Sequence, residues 1–258
     1  MKYAILLFVF VTGGYCTLKY NGSKAIHTQL LETFIVYTRN ETTPLRVVYF
    51  QDCSPSIRTN GVEIISSGVF APFFENTHQS IELNVGFITN LTAKKLITLH
   101  LPAARFTKPM LVDFKDVIIT DRKKVANDYQ IKVRQYEADS VTFYSKRTKC
   151  INDFRAQVDT VLNKYQKKQS SSTDLTPVVE IADKTFNYSV IDGARNVLIL
   201  NTDGIDSYHR KAKAMKNKAT VILVNANSIS HTALDAILTN NLQSSEQAIQ
   251  FSLNQTKN

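Results

Sequence analysis

Leu45-Arg46-Val47-Val48-Tyr49-Phe50 is β-branched and aromatic almost throughout, and the partners this strand takes decide the fold. Downstream, Ser80-Ile81-Glu82-Leu83-Asn84-Val85-Gly86-Phe87 alternates apolar with polar and puts Ile81, Leu83, Val85 and Phe87 on one face. Residues 96–101, 130–134 and 141–144 alternate in the same way, and 34–37 and 62–64 read as further short strands. Turn residues separate these runs at Asn40, Pro44, Ser54-Pro55, Pro72, Thr89-Asn90 and Pro109. Many short alternating strands with regular turns predict an antiparallel β-sandwich over residues 17–150. Phe70-Ala71-Pro72-Phe73-Phe74 would sit in its core, with Pro72 bending a strand edge.

The pattern then changes. Ile151, Phe154, Val158, Val161, Leu162 and Tyr165 recur at helical spacing, with Lys164, Lys167 and Lys168 gathered where the helix dipole favours cations. Gln169-Ser170-Ser171-Ser172-Thr173-Asp174 is a polar linker. Beyond it, 196–201 and 219–225 are continuous apolar runs, as in strands buried on both faces. Asp206-Ser207 can cap a helix over 208–218, Ser230 a second over 231–240, and 247–253 reads as a last strand. That order predicts a small parallel α/β domain. The expected class is therefore α+β: a sandwich at 17–150, a helix and linker at 151–173, and an α/β domain at 174–258.

Residues 1–16 place one lysine, Lys2, before the apolar run 4–11, with small Gly14 and Cys16 following. This is the pattern of a cleaved secretory signal, too short to span a bilayer. Secretion makes a bridge between Cys53 and Cys150 the expected fate of those thiols. It also gives meaning to five Asn-x-Ser/Thr acceptors, at Asn21, Asn40, Asn90, Asn187 and Asn254. The 258-residue chain carries a net charge of +9, spread over several small groups rather than one block. Solubility accounts for that spread better than binding to a phospholipid surface, a sulfated glycan or nucleic acid does.

Leu200-Asn201-Thr202-Asp203-Gly204-Ile205-Asp206-Ser207 lies where α/β proteins place ligands, between a strand's C-terminal end and a helix. Asp203 and Asp206 are weak candidate metal ligands there. A haloacid-dehalogenase-type phosphatase would need an aspartate where Asn201 stands. A von Willebrand A-type metal site needs Asp-x-Ser-x-Ser, a spacing this turn lacks. An ordinary turn with a helix cap explains the same residues. None of the five histidines pairs at i, i+2 or i, i+4, and the glycine-rich phosphate motifs are absent, so no cofactor is expected.

The path from Pro44–Phe50 through Pro72-Phe73-Phe74 to Ile81-Glu82-Leu83-Asn84-Val85 resembles the CUB-like domain of secreted nematode proteins. The resemblance covers residues 30–125, and 195–200 and 220–225 resemble the strands that follow in that family. This chain departs from the pattern in having no Trp. The resemblance implies an extracellular, non-enzymatic β-sandwich of a family linked with epithelial defence, and carries over no binding residues. The expectation is a secreted glycoprotein that binds an extracellular protein, a glycan or a microbial surface. The alternatives are a secreted, metal-assisted hydrolase using the 201–207 turn, and a structural protein exported by a bacterium.

Overall fold

The computed structural model describes residues 43–56, 62–89, 96–110, 117–167, 172–188, 191, 193–208, 210–224, 234 and 237–254. All belong to the compact unit Asn40–Asn258. The leader, the 34–37 strand, and the acceptors Asn21, Asn40 and Asn90 lie outside the described residues, as does most of the 231–240 helix.

One six-stranded sheet organises the described chain. Its strands are β1 (Leu45–Asp52), β2 (Ile81–Ile88), β3 (Ile97–Leu101), β4 (Arg195–Asn201), β5 (Thr220–Val224) and β6 (Asn240–Leu242), in the order β3-β2-β1-β4-β5-β6. β1 runs parallel to both β2 and β4, β4 to β5, and β5 to β6; β3 alone is antiparallel, on the edge beside β2. The antiparallel β-sandwich is thereby overturned, because its central strand pairs in parallel on both sides and closes no hairpin. Residues on either side of the 151–173 segment contribute to the same sheet, through the β1–β4 pairing.

β1 is buried at all eight positions, as a strand covered on both faces must be. Leu45, Val47 and Tyr49 enter one layer, where they meet α1 (Ala71–Glu75), the C-terminal part of α2 (Arg122–Lys167) and α4 (Ser245–Asn254). Phe70 stands edge-on to Tyr49 at 5.2 Å and to Phe154 at 6.0 Å. Phe70, Phe73 and Phe74 are all buried, so the aromatic run is core. Val48 and Phe50 enter the opposite layer against α3 (Thr176–Asn187). The result is an α/β/α arrangement.

Further expectations change. Residues 62–64 form no strand, and Pro72 opens the helix α1 instead of bending a strand edge. Residues 130–134 and 141–144 are parts of α2, a helix of 46 residues, rather than strands. Of that helix only Arg147, Phe154, Val158 and Leu162 are buried. Arg147 donates to the carbonyls of Phe74 (3.1 Å), Asn76 (2.6 Å) and Pro102 (3.1 Å), so it both ends α1 and seats α2. Among the described residues of the 208–218 segment none is helical, and 247–253 lies in α4 instead of a strand. Cys53 is buried and free while Cys150 is exposed on α2 and also free, so the expected disulfide is not formed. Among the described residues no helix is long and apolar enough to cross a membrane.

Candidate functional site

β1 and β4 lie side by side and in parallel, so the residues that follow them emerge together at one edge of the sheet. β1 ends on Asp52, which opens the run Asp52-Cys53-Ser54-Pro55-Ser56. β4 is followed at once by Thr202-Asp203-Gly204. Asp52, Ser54, Thr202 and Asp203 are all buried.

Hydrogen bonds lock the cluster. The Thr202 hydroxyl donates to Asp52 Oδ2 at 2.6 Å, and the Ser54 amide to Asp52 Oδ1 at 2.8 Å. The hydroxyls of Ser54 and Ser56 are 3.0 Å apart. The Ile205 amide donates to Asp203 Oδ1 at 3.0 Å. Gly204 turns the chain at φ 80°, a backbone that a side chain would strain.

The electrostatics are unusual for so small a cluster. Burial, opposed by the hydroxyl and amide donors and reinforced by the charge of Asp203, raises the Asp52 carboxyl from 3.8 to about 6. No lysine or arginine among the described residues pairs with Asp52. Two carboxylates with three hydroxyls form a set of hard oxygen donors, which suits Mg²⁺, Mn²⁺ or Ca²⁺ far better than zinc. Among the described residues no three His, Cys, Asp or Glu side chains converge; here hydroxyls complete the donor set.

On the other face of the same strand ends, Asn201 and Gln51 form an amide pair. Asn201 Nδ2 donates to Gln51 Oε1 and to the Glu63 carbonyl, each at 2.9 Å. The Tyr49 hydroxyl meets Ser245 Oγ at 2.8 Å and ties α4 to β1. These contacts hold the 62–66 loop and α4 to the strands that deliver Asp52 and Asp203.

Of the two metal candidates read from sequence, Asp203 is the one whose charge acts on Asp52. Asp206 accepts from the amides of Leu175 (2.9 Å) and Tyr208 (2.7 Å), so it secures the start of α3 and its own turn. Ser207 exchanges hydrogen bonds with Thr173. Asn201 is consumed in the amide pair. Cys53 points into the core, and its Sγ lies 3.7 Å from the Gln51 carbonyl; burial pushes its thiol pKa up. Asn187 and Asn254 are exposed at the C-terminal ends of α3 and α4.

Asp52, Ser54, Ser56 and Thr202 were not found from the sequence. Residues 52–56 carry the Asp-x-Ser-x-Ser spacing that a von Willebrand A-type metal site needs, one strand away from the turn where it was sought. Cys53 within that spacing gives the run the competing reading of one half of a disulfide.

No family model matches the chain, and no curated protein does. Among solved structures it is similar to the manganese-loaded TRAP protein of Plasmodium vivax (12% identity, TM-score 0.42, covering 83% of this chain and 74% of that one). It is also similar to the pilus adhesin SpaC of Lactobacillus rhamnosus GG in its open conformation (10%, 0.36, 83% and 30%). A third likeness is to the human COPII-coat protein Sec24c (7%, 0.39, 98% and 37%).

Proposed function

We propose that this chain is a secreted, non-enzymatic binding module whose recognition site is a divalent cation held by Asp52, Ser54, Ser56, Thr202 and Asp203. The observation that carries this reading is the 2.6 Å hydrogen bond from Thr202 to Asp52. It joins the two strand ends and brings the Asp-x-Ser-x-Ser run against the Thr-Asp pair. A hard cation bound there supplies outward coordination positions for a partner's oxygen donor, such as a carboxylate. The protein residues fix those positions. Thr202 and Ser54 orient Asp52, Gly204 and the Ile205 amide orient Asp203, and the Asn201–Gln51 pair holds the strands in register beneath them. The exposed acceptors Asn187 and Asn254 are compatible with a glycosylated extracellular protein.

The test is direct binding of Mn²⁺ to the purified chain after chelation. It is followed by the loss of the free-ion paramagnetic signal and by thermal unfolding. Mn²⁺ at one hundred times its dissociation constant should stabilise the fold by about 2.7 kcal/mol, and Asp203→Ala should abolish both responses. A wild-type chain that leaves Mn²⁺ free and unfolds at the same temperature with and without it refutes the proposal.

A further inference from the structure

The segment that follows Asp203 returns from the site edge of the sheet to the start of β5. Between Ser207 and Ala219 it carries Arg210, Lys211, Lys213, Lys216 and Lys218 and not one acidic residue. All five cations are exposed. The segment is anchored all the same. Ala212 is buried and Met215 packs against the α3-side core. The amides of Lys216 and Asn217 donate to Asp183. The Lys218 carbonyl accepts from Asn196 Nδ2 at 3.1 Å. A chain pinned at 212, 215, 217 and 218 holds its lysines outward in a fixed row.

The nearby acids offset only part of the row: the charges of Asp174 and Asp206 act on Arg210 and that of Asp183 on Lys216, while among the described residues no carboxylate pairs with Lys211, Lys213 or Lys218. Both Asp206 oxygens serve backbone amides, and Asp183 is committed to the amides of 216 and 217 and to the Asn217 side chain. Asp174 pairs with Arg210 alone, at 2.5 Å. At the site end, Ile205 (41% exposed) and Tyr208 (52% exposed) follow Asp203 along the chain. The Arg210 guanidinium lies 4.7 Å over the Tyr208 ring and covers one of its faces. β4 and β5 are parallel neighbours, so the connection must travel back by about 15 Å at roughly 3.3 Å per residue.

We infer that the cation site and the 210–218 row form one continuous docking track for an acidic segment of a partner protein. One carboxylate of the partner binds at the cation, apolar side chains lie on Ile205 and Tyr208, and further carboxylates meet the lysines. The apolar pair and the covered tyrosine ring favour a polypeptide over a sulfated glycan, which would use an open ring face. This inference rests on the cation reading above.

The experiment measures fluorescence anisotropy of a labelled decapeptide of alternating glutamate and serine, with the full chain in Mn²⁺. Binding should weaken at least tenfold in the triple variant Lys211→Glu, Lys213→Glu, Lys216→Glu, and at least tenfold again when the ion is chelated. Affinity should also fall steeply with salt. The charge-neutral triple variant to Gln, expected to lose less, serves if the reversal unfolds the chain. Mn²⁺ binding is measured separately on wild type and variant and should be equal. Mn²⁺ bound normally with peptide affinity indifferent to the lysines overturns the track and leaves the cation site standing. Wild type that fails to bind Mn²⁺ overturns both. Displacement of the peptide by heparin at lower charge-equivalent concentration overturns the choice of occupant.

Discussion

Replacing Asp52 by Asn should strengthen the metal-free fold while destroying cation binding. The native carboxyl is raised from 3.8 to about 6, mainly by burial. At 1.36 kcal/mol per pKa unit, ionised Asp52 costs the folded chain about 3 kcal/mol at neutral pH. The sign follows from the direction of the shift. A raised native pKa gives stability that is complete below the unfolded value near 3.8 and is lost as pH climbs through about 6. Asn keeps the local bonds: its oxygen accepts the Ser54 amide, and its NH₂ can donate to the Thr202 hydroxyl, which has lone pairs to spare. In chelator at pH 7, Asp52→Asn should therefore unfold up to about 3 kcal/mol later than wild type. For a chain of this size that corresponds to about 6–12 °C. The gap should close as pH falls to 4, because wild type then carries a neutral carboxyl too. With saturating Mn²⁺ the order should invert, since only wild type gains from the ion. Denaturant titrations at pH 4, 5, 6 and 7 with and without Mn²⁺ measure all of this. A gap that does not change with pH, or a variant less stable than wild type in chelator at pH 7, would show that burial of this charge is not what strains the site.

Other outcomes follow from single contacts. Gly86→Ala places a Cβ 2.3 and 2.6 Å from the Phe50 ring and 2.8 Å from Leu96, so it should cost about 1–3 kcal/mol or more in denaturant unfolding. Gly204→Ala, at φ 80°, should cost about 1–2 kcal/mol and weaken Mn²⁺ binding, because Asp203 immediately precedes it. Arg147→Leu leaves the carbonyls of Phe74, Asn76 and Pro102 without their donor and should lower stability by about 1–3 kcal/mol, with circular dichroism still helical at 20 °C. Mass-spectrometric mapping after alkylation should find Cys150 modified in the native protein and Cys53 only after denaturation; a peptide pair linked through the two sulfurs would contradict the structure.

Five of the six strands of the sheet are legible in the sequence; β6 and the strands' partners are not. The apolar character of 45–50, 96–101, 196–201 and 219–225 names β1, β3, β4 and β5 correctly, since β-branched runs bounded by turn residues have few other uses. The alternation at 80–87 was misleading. Glu82 and Asn84 look like a solvent face, yet both are buried, with Asn84 bonded to Glu82 and to Thr98. A strand buried on both faces thus presents the period of a half-exposed one. The error at 130–134 and 141–144 has a different cause. That part of α2 leaves the sheet, so no core imposed a helical stripe on it, and Ile131 and Val141 are exposed. The site was half visible. Asp203 could be reached from strand-end geometry, but Asp52 needed the knowledge that β1 is central and parallel, which no local pattern carries.

The position of β1 also governs how the chain can be made. Its partner β4 lies 150 residues further on, as the Asn201–Gln51 bond measures. Until β4 has been synthesised, one whole side of this central, fully buried strand has peptide groups without a strand partner. At roughly 5–20 residues per second on the ribosome, that interval lasts about 8–30 s. During it the nascent polypeptide offers a sticky, unzipped seam to any neighbouring strand, so its yield in a cell depends on chaperone cover over that interval, and products ending short of residue 195 have no way to close the seam.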